Sequence, residues 1–248
     1  MASKIIGLIP ARYASTRFPA KPLIDIGGKS MIQRVYEQAR KSTYLSKVVV
    51  ATDHPEIYNH VESFGGDVCM TREDHISGTD RCYEALLLQY DSYEYVINIQ
   101  GDEPFIQPDQ IDLLAAVLTG KTEIATLVKA IDQTEQLFNP NLVKAVIGKN
   151  CEALYFSRSP IPYLRNIKES DWITHHTFFK HIGMYAYRVD ILTELTKLHP
   201  SILEKAESLE QLRWLENGFE ILAVETSTES FGIDTPEDLV KAKSYLNL

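Results

Sequence analysis

The opening of the chain, Ile5-Ile-Gly-Leu-Ile-Pro-Ala-Arg-Tyr-Ala-Ser-Thr-Arg-Phe-Pro-Ala-Lys-Pro-Leu23, constrains it more than any other stretch. Ile5 to Ile9 is a nearly unbroken apolar run, the pattern of a strand buried on both faces. Pro10 is expected to end that strand, because proline has no N–H to give to a ladder. The loop that follows is rich in small residues and carries Arg12, Arg17 and Lys21. No acidic residue precedes Asp25, although 24 positions at a frequency of 34 in 248 would hold about three. A basic loop at the carboxyl end of the first strand of an α/β sheet lies where such sheets bind ligands. Arginine forks and a lysine point charge both suit phosphate oxygens. A solvated loop with ordinary surface cations would look the same, so charge bias alone leaves the choice open.

Downstream, strands and helices alternate. Gly27-Gly28 marks a turn, and Met31 to Lys41 has helical spacing, with Ile32, Val35, Tyr36 and Ala39 on one face. Lys47 to Thr52 reads as a buried strand ending at Asp53. Pro55 to Phe64 reads as a helix stopped by Gly65-Gly66. A short strand at Asp67–Met70, a helix from Thr79 to Leu88, a strand at Tyr95–Gln100 and a helix from Pro108 to Leu118 complete a regular first half. That order predicts a mostly parallel sheet with right-handed crossovers, flanked by helices. After residue 120 the pattern loosens. Strands are expected at 124–129, 143–147, 153–157, 182–187 and 220–225, and helices at 189–198, 209–217 and 235–246. The polar segment Arg165 to Lys180 is expected to be a mobile loop. With no linker, repeat or low-complexity tract, the chain reads as one domain, 1–248, with a regular half (1–120) and a less regular half (121–248).

The formal net charge of −9 argues against general nucleic-acid binding, since phosphate backbones select basic surfaces. An anionic substrate must then be held by a local basic pocket inside a repelling field. Cys69, Cys82 and Cys151 form neither a disulfide framework nor a zinc pattern and read as reduced thiols of a cytosolic protein. Pro10 and Arg12 break the first apolar run, so it does not read as a signal peptide, and no apolar run approaches membrane-spanning length.

Leu23-Ile-Asp-Ile-Gly-Gly-Lys-Ser30 misses a phosphate-binding P-loop by one position, with leucine where the first glycine is required. In Gln100-Gly-Asp-Glu-Pro104, Asp102 sits at a strand's carboxyl end, aimed at the same crevice as the basic loop. Glycine and aspartate also make ordinary turns, but a carboxylate beside a triphosphate-sized basic loop is a common way to hold Mg²⁺. In Gly232-Ile-Asp-Thr-Pro-Glu-Asp-Leu239, Thr235 is the expected N-cap and Pro236 the first helical residue, while Asp234 is not needed for capping. Arg158 can grip a carboxylate in two places. His181 and Tyr185 can hydrogen-bond hydroxyls, and Glu210 and Gln211 sit side by side at a helix start. Arg72-Glu-Asp-His-Ile-Ser-Gly-Thr-Asp-Arg81 is a loop leading into a helix, capped by Ser77 or Thr79, and Arg72 and Ser77 are placed to face a base edge.

Seven runs, in order and at similar spacing, resemble the 3-deoxy-manno-octulosonate (Kdo) cytidylyltransferases. They are the Pro10–Leu23 loop, Arg72–Arg81, Gln100–Pro104, Ala153-Leu-Tyr-Phe-Ser-Arg-Ser-Pro-Ile-Pro162, His181-Ile-Gly-Met-Tyr-Ala-Tyr-Arg188, Leu209-Glu-Gln-Leu-Arg-Trp-Leu-Glu216 and Gly232–Leu239. The sequence departs from the family pattern at Ala20, where glycine is usual, at Lys180, at Asp80 and in Ser159–Tyr163. The resemblance implies a Rossmann-like nucleotidyltransferase fold with a smaller sugar-binding, lid and dimerisation part. It implies transfer of a cytidylyl group from CTP to Kdo for lipopolysaccharide assembly, by a cytoplasmic homodimer that uses Mg²⁺. Arg12, Lys21 and Asp102 would then be catalytic. Pro10, Ala11, Arg12, Arg17, Lys21, Arg72, Ser77 and Gln100 would bind the nucleotide. Gln100, Arg158, His181, Tyr185, Glu210 and Gln211 would bind the sugar, and Asp102 and Asp234 the metal. Alternatives are the same chemistry on sialic acid or 8-amino-Kdo, a non-catalytic nucleotide-binding module, and a P-loop phosphotransferase.

Overall fold

The computed structural model describes residues 3–14, 20–228, 232–233 and 235–245. They belong to two compact units, Met1–Ala116 with Glu229–Leu248, and Val117–Thr228. The boundary falls four residues before the one expected from pattern. The C-terminal stretch returns to the first unit rather than staying with the second half.

The first unit alternates β1 (Ile5–Ala11), α1 (Met31–Ala39), β2 (Leu45–Thr52), α2 (Pro55–Ser63), β3 (Val68–Met70), α3 (Gly78–Leu87), β4 (Tyr95–Asn98) and α4 (Pro108–Ala116). β1 pairs with β2 and with β4, and β2 with β3, all parallel, giving the order β3-β2-β1-β4. Ile6, Leu8, Ile9 and Val96 are fully buried, as expected for strands covered on both faces. α1 buries Met31, Ile32, Val35, Tyr36 and Ala39 at helical spacing, and Ser30 caps it by accepting the Gln33 N–H at 3.2 Å.

The strand does not stop at Pro10. β1 runs to Ala11, and Pro10 pairs with Ala51. The Leu8 carbonyl accepts from Ile99 N–H, so Leu8 and, two residues on, Pro10 turn their peptide groups toward the β4 side. β4 ends at Asn98, opposite Leu8. The missing proline N–H therefore faces a place where no ladder continues, and nothing is lost.

The second unit contains β5 (Ile124–Ala130), α5 (Thr134–Phe138), β6 (Lys144–Ile147), β7 (Ala153–Ser157), α6 (Trp172–His175), β8 (Phe179–Arg188), α7 (Val189–Leu195), α8 (Ile202–Glu207), α9 (Gln211–Glu216) and β9 (Ile221–Glu225). β5 pairs antiparallel with β8 and parallel with β9, and β6 pairs antiparallel with β7 and β8. The segment read as a mobile polar loop is anchored at its middle. Trp172 and Phe178, 2% and 1% exposed, form a cluster with Ile131 and Leu137. Trp172 Nε1 donates to the Ile167 carbonyl at 3.1 Å. One buried tryptophan outweighs the polar residues around it.

α10 (Pro236–Tyr245) belongs to the first unit, where Ile233, Leu239 and Ala242 pack with Ile26, Met31 and Phe105. Thr235 caps it, accepting the Asp238 N–H at 3.2 Å. The α/β architecture with a largely parallel sheet and flanking helices agrees with the sequence expectation. Among the described residues, no helix is long and apolar enough to cross a membrane.

Candidate active site

The parallel register of β1 and β4 brings their carboxyl ends together, and the turn after β4 closes over the end of β1. Glycine is required there, because a Cβ at Gly101 would lie 2.7 Å from the Pro10 carbonyl oxygen. The turn is held by main-chain bonds, Glu103 N–H to the Gln100 carbonyl at 3.3 Å and Ile233 N–H to the Asp102 carbonyl at 2.9 Å. The Asp102 side chain is thus left available. From the other side, Ala20 N–H donates to the Tyr13 carbonyl at 3.1 Å, and a short 3₁₀ turn, Lys21–Leu23, follows. Lys21 Nζ lies 2.8 Å from Asp102 Oδ2, with the lysine side chain 11% and the aspartate 39% exposed.

Ala20 has φ +54°, in the left-handed region. A side chain there costs about 1–2 kcal/mol, a strain that glycine does not carry. Ala20→Gly is expected to raise the stability measured by urea unfolding by about 0.5–1 kcal/mol, the strain relieved less the added chain entropy of glycine.

Lys21 and Asp102 stand in the wall of a cavity of about 290 Å³ together with Pro10, Ala11, Arg12, Ser77 and Gln100. These sequence-predicted positions share one space. Sequence reasoning missed His75, Ile76, Gly78 and Arg81, which also line it. Ser77 caps α3, its Oγ accepting the Asp80 N–H at 3.1 Å, so the amino end of that helix sits beside the cavity. The Arg72 side chain is not in the wall. It is exposed and turned toward Asp74 (3.3 Å) and Glu84 (3.9 Å). Glu84 accepts the Arg72 N–H at 3.0 Å and is bonded to the His75 imidazole. Burial works against its charge, but these bonds hold its pKa below the usual carboxylate range. Arg17 and Asp234 lie outside the described residues.

The near-P-loop forms no phosphate cradle. Gly27 and Gly28, at φ +66° and +80°, make a tight turn in which Gly28 N–H donates to Asp25 Oδ1 at 3.2 Å, and Lys29 pairs with Glu37.

In the second unit, β8 carries a bulge that the residue spacing does not reveal. Thr126 faces Tyr185 while Leu127 faces Ile182, so Gly183 and Met184 are extra to the ladder. His181 and Tyr185, about 13 Å apart on a regular strand, are brought to a ring separation of 5.2 Å. His181 Nε2 is 3.0 Å from Thr126 Oγ1, and Phe156 meets the imidazole edge-on. Part of His181 remains accessible, yet dense packing around the ring lowers its pKa to about 3. Burial, with Tyr187 and Glu210 nearby, pushes the Tyr185 phenol up. The Tyr185 hydroxyl and Trp214 Nε1 are buried without a hydrogen bond of ordinary geometry. Trp214 packs edge-on against Tyr185, a neighbour the sequence reading did not select. Glu210 precedes α9, and Gln211 is buried at its first position. The Arg158 guanidinium is turned onto main-chain carbonyls, those of Glu207 (2.8 Å), Pro140 (3.2 Å) and Ser208 (3.4 Å). Two of these lie at the carboxyl end of α8, where a cation is favoured.

His181 makes stability depend on pH. Its folded pKa lies below the unfolded value, so stability is full above about pH 6.5 and is lost as pH falls toward 3. The expected loss is at most about 1.4 kcal/mol per pH unit in that window. Urea unfolding of His181→Gln should show a correspondingly flatter acid limb.

Residues 6–225 match the family model described as cytidylyltransferase. The 3-deoxy-manno-octulosonate cytidylyltransferase of Cytophaga hutchinsonii is 57% identical over 238 residues, covering 96% of this chain and 95% of that protein. The chain belongs to the 3-deoxy-manno-octulosonate cytidylyltransferase family. A member from Parabacteroides distasonis is 56% identical over 248 residues, covering 98% of each. Among solved structures, CMP:2-keto-3-deoxy-manno-octonic acid synthetase complexed with CTP superposes with a TM-score of 0.92 at 43% identity, over 99% of both chains. The 4-diphosphocytidyl-2C-methyl-D-erythritol synthase of Anaerococcus prevotii, at TM-score 0.65 and 14% identity, shares the fold.

Proposed function

We propose that this chain transfers the cytidylyl group of CTP to the anomeric hydroxyl of Kdo, giving CMP-Kdo and pyrophosphate. The observation that carries the reading is the Lys21–Asp102 pair in the wall of a cavity formed by the basic loop and the carboxyl ends of β1 and β4. The family's members and the CTP-bound relative support the same substrates.

The anomeric hydroxyl oxygen attacks the α-phosphorus and loses its proton to solvent, the bond from that phosphorus to the bridging oxygen breaks, and pyrophosphate leaves with the electron pair. Negative charge grows on non-bridging and leaving oxygens, so positioning and electrostatics do most of the work. Arg12 and Lys21 would neutralise phosphate charge, Arg17 would assist, and the Ser77 helix start would face the base. Gln100, His181, Tyr185, Glu210, Gln211 and Arg158 would hold the sugar acid, Arg158 by leaving its carbonyl partners for the carboxylate. The partly exposed Asp102 carboxylate is a hard oxygen donor of the kind Mg²⁺ takes, with Asp234 the second proposed ligand. When bound, Mg²⁺ supplies Lewis-acid neutralisation of the phosphates. The reading includes a homodimer acting in the cytoplasm to supply lipopolysaccharide assembly.

The test is pyrophosphate release from CTP with and without Mg²⁺, across Kdo, 8-amino-Kdo and sialic acid. Release with Kdo alone supports the proposal. Preference for another acid sugar replaces the substrate, and CTP binding without release leaves a nucleotide-binding module.

A further inference from the structure

Two sides of the cavity are tied together by one buried ion pair that the roles above do not use. Arg81 of α3 lines the cavity, and its Nη2 lies 2.8 Å from Oδ2 of Asp53, just after β2. Both side chains are nearly excluded from solvent, 4% and 6% exposed. The other carboxylate oxygen, Asp53 Oδ1, accepts the Tyr13 N–H at 3.1 Å, one residue beyond Arg12. Tyr13 also stacks on His54, with ring centroids 3.7 Å apart. The second branch of the guanidinium, Arg81 Nη1, donates to Thr71 Oγ1 at 2.7 Å and to the Arg72 carbonyl at 3.2 Å. Those residues begin the loop that ends at Ser77. One carboxylate thus grips the basic loop with one oxygen and, through Arg81, the Arg72–Ser77 loop with the other.

We propose that Asp53 and Arg81 are positioning residues that couple the triphosphate side of the cavity to its base side. The proposal rests on the reading of this cavity as a CTP site. A buried ion pair is a poor source of net stability, because desolvation offsets the attraction. The geometry it enforces accounts better for its place in the wall. Charge-assisted bonds to both loops mean that neither loop shifts without straining the other. Placement of one loop by its part of the nucleotide then favours the matching placement of the second.

The experiment is calorimetric titration of the whole protein, in Mg²⁺ buffer, with cytidine and with inorganic tripolyphosphate, each alone and in the presence of the other. In the native protein, saturating cytidine should raise tripolyphosphate affinity about fivefold or more. Asp53→Asn keeps an acceptor for Tyr13 but turns an amide N–H toward Arg81. The enhancement should fall below about twofold while each fragment's own affinity changes little. Arg81→Lys keeps a cation beside Asp53 but loses the second branch, and it should lose the coupling too. It decides the matter if Asp53→Asn fails to fold. A lower melting temperature with the coupling factor unchanged would mean a merely structural pair and overturn the proposal. So would native protein that binds both fragments independently. Native protein that binds neither fragment overturns the CTP-site reading itself, a distinct result.

Discussion

Asp102→Asn is expected to lower pyrophosphate release from CTP about a thousandfold or more while leaving the fold intact. The substitution keeps the size of the side chain and removes its charge. Lys21 then faces a neutral amide, and the hard anionic donor proposed for Mg²⁺ is gone, a change of several kcal/mol in transition-state stabilisation. The turn itself does not depend on the carboxylate, since the Ile233 and Glu103 main-chain bonds hold it. The urea midpoint should therefore stay within about 0.5 kcal/mol of the native value. Residual turnover should need more Mg²⁺ for half-saturation. Retention of a tenth of native activity would remove Asp102 from the chemistry.

The second large effect is expected at Lys21. Lys21→Ala should reduce kcat about 100- to 1,000-fold, the usual consequence of deleting one preorganised cation or donor at developing charge. The stability change should be small, because its partner Asp102 is partly exposed and solvent-screened pairs contribute about 0–1 kcal/mol. Steady-state kinetics of the double variant distinguish a shared role from two separate ones. If the pair acts as a unit, Lys21→Ala with Asp102→Asn loses little more than either alone. Multiplying losses would separate the two residues.

The parts of the fold that could be read from the residues are those specified within a few positions. Largely apolar strand runs at 5–9, 47–52 and 95–100, separated by helical spacing and by Gly27-Gly28 and Gly65-Gly66, carry the parallel βα order of the first unit. The short helices α5 and α8, of five and six residues, are too brief for periodicity to register. β8 begins earlier than its apolar residues suggest, because Lys180 and His181 occupy strand positions while looking like loop. Arg165–Lys180 has the composition of a loop, since Lys168, Glu169, Ser170 and Asp171 dominate it, but Trp172 decides its packing. Pro10 does not stop β1, because proline breaks a ladder only where a ladder is present on the side its nitrogen faces.

The candidate site divides the same way. The basic character of residues 10–21, Asp102 at a strand end and the cap before α10 follow from residue type and order. The loop-then-helix form and the family resemblance point Arg72 toward a base edge, yet nearby Asp74 and Glu84 draw its side chain away. Arg81 closes a recognisable loop–helix run and Asp53 ends a strand, but neither pattern gives the pair a role, because its significance lies in the two side chains meeting each other.

By itself, the order of residues determined which segments become strands and helices and which chemical groups each carries to its end. Only the tertiary structure decided which of those groups meet. Lys21 and Asp102, 81 positions apart, come to 2.8 Å because parallel register aligns β1 with β4. His181 meets Tyr185 because a bulge shortens β8, and Arg158 is held on helix-end carbonyls. Propensity and patterning act over one or two turns of chain, whereas distances between remote side chains are set by sheet register and core packing, which no local stretch contains.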